Sequence, residues 1–89
     1  MTAQPSEYPC IDGEVFVQTL LEFGCAIEQA QGRFLWIQRG DNHCYHVTYE
    51  GVVSPLQAVQ ACGCLQIGPD EFFAKAKAVA ARVQIEREL

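Results

Sequence analysis

Apolar positions first recur at helical spacing over residues 14–23. Phe16, Leu20 and Phe23 form a stripe that Val17 and Leu21 widen, which predicts an amphipathic helix. Asp12 is suited to cap its start, and Gly24 is suited to end it with a positive φ. The period then shortens. Cys25 to Ala30 reads as a first strand, Gln31-Gly32 as a turn, Arg33 to Gln38 as a second strand and His43 to Tyr49 as a third. A Gly40-Asp41 or Asp41-Asn42 break between the last two marks a β-hairpin. Helical spacing returns after Glu50-Gly51. Ser54-Pro55 supplies an N-cap and a first-turn proline, with Leu56, Val59 and Cys62 or Gly63 as the stripe and Gly63 as the expected end. Gly68-Pro69-Asp70-Glu71 starts a last helix, lined by Phe72, Ala76, Val79 and Val83 with Phe73 and Ala80 beside them. Its basic residues Lys75, Lys77, Arg82 and Arg87 fall on or near the outer surface. The predicted order is α-β-β-β-α-α, an α+β fold in which helices pack on one face of a three-stranded antiparallel sheet.

The hairpin is apolar on both faces, so register decides what is buried. With Gly40 and Asp41 as turn residues, Trp36 pairs with Tyr45 and Phe34 with Val47. One face then carries Phe34, Trp36, Tyr45, Val47 and Tyr49. The other carries Arg33, Leu35, Ile37, Cys44, His46 and Thr48. The first is the expected core face, because burying large rings contributes most. A one-residue slip would exchange the pairings. The expected binding surface is therefore the second face, comprising Arg33, Leu35, Ile37, Cys44, His46 and Thr48 with Arg39 at its end.

With 89 residues the chain is one domain, read as an arm over 1–10 followed by a single α+β domain over 11–89. Hydrophobic residues make up 49% of it, which excludes a disordered chain. No apolar run is long enough to span a bilayer, so no membrane association is expected. Met1 to Cys10 has neither the basic start nor the apolar stretch of a signal peptide, and a cytoplasmic location follows as the expectation. The net charge is −5. Phosphate neutralisation supplies most nonspecific nucleic-acid affinity, so this charge disfavours RNA and DNA and favours a protein partner, especially a basic one.

Several phrases, together with the order of elements, resemble the HicA/YcfA family of small toxins, which have a double-stranded-RNA-binding-like fold. The phrases are Leu20-Leu21-Glu22-Phe23-Gly24, then Gln31-Gly32-Arg33-Phe34, then Val59-Gln60-Ala61-Cys62-Gly63 and Gly68-Pro69-Asp70-Glu71-Phe72. The resemblance implies a shared scaffold. The family's Gly-Ser-His histidine, to which RNA cleavage is attributed, is absent: the matching residues are Gly32-Arg33-Phe34. The family is also typically basic, and this chain is acidic.

His43 and His46 are the remaining candidates for acid/base chemistry on RNA, with Arg33 or Arg39 holding phosphate, yet no second titrating group is evident beside them. Cys62-Gly63-Cys64 suggests metal or redox chemistry. Structural zinc sites show two such pairs at matched spacing, and only Cys44 and His46 could join from one face of the strand. The five cysteines are more simply read as reduced thiols, with Cys62 and Cys64 packed at a helix end and no cofactor held. Arg33, Arg39, Lys75, Lys77 and Arg82 could form an anion site, against eleven carboxylates spread along the chain; a solvated helix face with i,i+4 pairs is the simpler reading. Trp36 and the tyrosines could stack bases, although core packing is the default for such rings. The outer helix stripes could also pair two chains into a homodimer. The chain is accordingly read as a small, acidic, non-enzymatic protein-binding module, of the inhibitor or antitoxin-like kind that partners a nucleic-acid-handling protein. The alternatives are a HicA-like RNA-binding protein or mRNA interferase, and a small Cys-based metal or redox protein.

Overall fold

A computed structural model describes residues 8–29, 34–47 and 51–88. The order of elements is β1 (Ile11–Asp12), α1 (Gly13–Glu22), β2 (Ala26–Gln29), β3 (Phe34–Arg39), β4 (Asn42–Val47), β5 (Val52–Val53), α2 (Pro55–Leu65) and α3 (Pro69–Glu88). Strands β2, β3 and β4 form an antiparallel sheet in that order. The expected α+β arrangement is therefore present, with one addition. β1 and β5 form a second, two-stranded antiparallel ladder that pairs Ile11 with Val53 and Asp12 with Val52. Two-residue strands are too short to show a period, so the chain gives no sign of them.

The termini of α1 follow the sequence closely. The Asp12 carboxylate accepts from the Glu14 N–H at 3.2 Å. At the other end Gly24 has φ +80°. Its N–H donates to the Leu21 carbonyl at 3.0 Å and the Cys25 N–H donates to the Leu20 carbonyl at 3.1 Å, closing a Schellman motif. The buried stripe of α1 is Val15, Phe16, Thr19 and Leu20, while Leu21 is 46% exposed. The expected stripe of Phe16 and Leu20 is thus widened by Val15 and Thr19, with Val17 and Phe23 half-buried against it, and only Leu21 falls outside. Thr19 is tolerated in the core because its hydroxyl donates to the Val15 carbonyl at 2.6 Å.

Ser54 caps α2 with a capping box: its hydroxyl accepts from the Gln57 N–H, and the Gln57 side chain accepts from the Ser54 N–H at 3.1 Å. The helix does not stop at Gly63. It continues to Leu65 and ends at Gln66, which is left-handed at φ 60°, ψ 40°. The two extra residues bring Leu65 fully into the core, and that burial outweighs the low helix propensity of glycine. The stripe buries Ala58, Ala61, Cys62 and Leu65, with the expected Val59 half-buried against the core; Leu56, also expected, is 55% exposed.

The long helix α3 buries Phe72, Phe73, Ala76, Val79 and Val83. It packs on α1 and α2, which in turn lie against β2 and β4. Phe72 joins these layers as a fully buried ring, with its centroid 5.9 Å from that of Phe16 and 6.0 Å from that of Phe23. Tyr8 stacks on Phe73 at 4.1 Å, nearly parallel, and its hydroxyl donates to Asp70. On the outer side of α3, Gln84 donates to Glu88 one turn on at 3.0 Å, while among the described residues the arginines reach other elements: Arg82 meets Glu22 of α1 at 3.3 Å, and Arg87 meets Asp12 of β1 at 3.3 Å and also Glu14 of α1.

Candidate functional site

The register of β3 against β4 is the one set by Gly40 and Asp41 as turn residues. Phe34 pairs with Val47, Trp36 with Tyr45, Ile37 with Cys44 and Gln38 with His43. The burial of the two faces is the reverse of the expectation. Leu35 is 3% and Ile37 0% exposed, and both belong to the main core. Phe34, on the opposite pleat, is 44% exposed. Leu35, Ile37 and the half-buried Cys44 face the helices and cannot form a free binding surface. Leu35 and Ile37 share one core cluster with Ala58, Ala61, Cys62 and Leu65 of α2, and small residues beside branched aliphatic ones suit the close packing of that layer. Arg33, the His46 side chain and Thr48 lie outside the described residues.

Arg39 also changes role. Its Nε donates to the Phe23 carbonyl at 3.0 Å, and one Nη donates to the Leu65 and Gln66 carbonyls at 3.1 and 3.0 Å. Those carbonyls are at the C-terminal ends of α1 and α2, where no helical donor remains for them and the helix dipoles favour a cation. The guanidinium is consequently a structural cap on two helices and not a phosphate holder. Arg82 is paired with Glu22, so the predicted anion site does not assemble from these two residues.

The open face of the sheet is built by alternation. Glu28 on β2 lies opposite Trp36 on β3, and Ala26 lies opposite Gln38. Phe34 and Trp36 occupy successive positions on this pleat, and His43 reaches in from β4. The imidazole of His43 stacks on the half-buried indole of Trp36, with centroids 4.6 Å apart and planes 25° apart. Among the described residues the His43 ring has no hydrogen-bonded carboxylate or thiol, and Glu28 is exposed without a partner. Arg39 and all four basic residues of α3 sit on the helical side. Among the described residues the face therefore carries aromatic rings and the carboxylate of Glu28, and no arginine or lysine.

Cys25, Cys44 and Cys62 are packing groups, whereas Cys10 lies at the surface and Cys64, expected to pack beside Cys62, does not. Cys62 is fully buried and Cys64 is exposed, because residues two apart on a helix point in nearly opposite directions. The pair therefore cannot close on one ion. Burial pushes the Cys62 thiol up to about 12, with Cys25 adding to it. Burial likewise pushes Cys44 up to about 11, with Cys64 and Cys25 adding. Cys25 is raised by burial against the lowering effect of Arg39. A thiol held protonated is a poor nucleophile and a poor metal ligand. Among the described residues no group of three or more His, Cys, Asp or Glu side chains is arranged to hold a metal ion, and no helix is long and apolar enough to cross a membrane.

Comparison with protein-family models, with curated proteins and with solved structures finds no match for this chain.

Proposed function

We propose that this chain is a non-enzymatic protein-binding module that docks its partner on the open face of the β2-β3-β4 sheet. The observation that supports this most is the exposure of Phe34 beside half-buried Trp36, on a pleat that no helix covers among the described residues. Aromatic rings are the side chains most enriched where protein surfaces meet, since they bury much area while freezing few torsions. The acidic surface favours a basic partner, such as a nucleic-acid-handling protein whose cationic surface the module would cover.

Site-specific photocrosslinking tests the reading. A photoreactive phenylalanine analogue at position 34 is expected to give a discrete protein adduct in cells of the source organism. The same analogue at position 84 on α3 is expected to give none. Adducts only to RNA, or identical adducts from both positions, would overturn the proposal. RNA adducts would favour the HicA-like alternative, under which expression arrests growth and His46→Ala relieves the arrest.

A further inference from the structure

The open face carries one arrangement that specifies more than an apolar surface. Glu28 and Trp36 are direct cross-strand partners, so their side chains project from the same pleat about 5 Å apart at Cβ. The carboxylate is exposed and, among the described residues, has no cation beside it. Two of the α1 carboxylates, Glu14 and Glu22, are engaged by arginines of α3. The described residues bring no arginine or lysine to Glu28. The indole next to it is oriented by its stack on His43. An unpaired carboxylate beside an oriented indole is the complement of one chemical group in particular. A guanidinium places its donor fork on a carboxylate and its flat, weakly hydrated face against an aromatic ring. A phosphate would be repelled by the carboxylate, and an ammonium would satisfy the carboxylate without the planar match.

Resting on the docking reading above, we infer that the Glu28–Trp36 pair is a receptor for an arginine side chain of the partner, with neighbouring apolar residues of that partner covering Phe34. The arginine supplies specificity at the centre of the face, and the apolar flanks exclude water from the ion pair, which strengthens it.

Trp36 is the only tryptophan in the chain, so intrinsic fluorescence reports on this position alone. The probe is the acetylated, amidated peptide Val-Arg-Val-Arg-Val, titrated into the full-length protein at low salt. A saturable change in Trp36 emission is expected. Replacing the arginines with citrulline, which keeps length and shape but removes charge, is expected to weaken binding about tenfold, and replacing them with lysine about threefold. Glu28→Gln, at an exposed position that leaves the fold intact, is expected to weaken the arginine peptide about five- to tenfold and to leave the citrulline peptide unchanged. Equal binding of arginine and citrulline peptides would overturn the receptor inference while leaving the docking face standing. A lack of any emission change up to millimolar peptide would overturn it as well, and crosslinking from position 34 would then judge the docking reading separately. Quenching by a single-stranded RNA oligonucleotide but not by the peptides would overturn both.

Discussion

The Nε of Arg39 donates to the backbone carbonyl of Phe23 at 3.0 Å, tying the end of a central strand to the end of a helix sixteen residues earlier. Through its second donor the same side chain holds the end of α2. One guanidinium thus fixes two helix ends against one strand end. Arg39→Met is expected to cost about 2–4 kcal/mol, because three carbonyls lose a charged donor in a part-buried place. Arg39→Lys is expected to recover little of this, since a single ammonium cannot span both helices. Urea denaturation of the three proteins checks it, and a fully stable lysine variant would show that charge alone suffices.

The exchange of the sheet faces makes a paired prediction. Ile37→Ala should cost about 2–5 kcal/mol, as expected for a fully buried aliphatic side chain. Phe34→Ala, one pleat over and largely outside the core, should stay within about 1 kcal/mol of the parent. Thermal melts of the two variants would refute the face assignment if the order of their costs were reversed.

Phe72 touches three other rings, those of Phe16, Phe23 and Phe73. Phe72→Ala leaves a cavity between α1 and α3 and is expected to cost about 3–5 kcal/mol. Near-ultraviolet circular dichroism should lose intensity at the same time, reporting the loosened aromatic cluster.

The Ser54 capping box predicts a smaller effect. Ser54→Ala is expected to destabilise by about 1 kcal/mol, and Ser54→Asp should largely preserve stability. Chemical denaturation resolves a difference of that size.

The thiols set an alkaline limit. Cys44 and Cys62 are pushed up to about 11 and 12 in the folded protein, from an ordinary value of 9.0. Their folded values lie above their unfolded ones, so their contribution is fully present below pH 9 and is lost as pH rises through 11 to 12. Stability should fall over that window. Cys44→Ala, compared with the parent by urea titration at pH 7, 9 and 10.5, should show a shallower fall. Parallel pH dependences would contradict the burial of Cys44.

Much of the architecture was legible because it is written in local chemistry. Asp12, Gly24, Ser54, Pro55 and Pro69 each act within a turn of their own position, so caps and helix starts could be read residue by residue. The hairpin register followed from Gly40 and Asp41 for the same reason. The end of α2 was misplaced because Gly63 is a local signal overruled by a distant one, the burial of Leu65. The β1–β5 ladder joins residues forty apart through two-residue strands, and no window along the chain contains it.

The candidate site divides the same way. Alternation along β3 determined by itself that Phe34 and Trp36 share one pleat and that Leu35 and Ile37 share the other. Which pleat faces water was not in the strand, since both are apolar. That was decided by the helices laid against it, whose small residues share one close-packed layer with the branched aliphatic chains of Leu35 and Ile37. Only the assembled structure could turn Arg39 inward, because the carbonyls that hold it come from helix ends far from it in sequence. Glu28 and Trp36 became neighbours through strand pairing, a relation between segments that periodicity within either one cannot express.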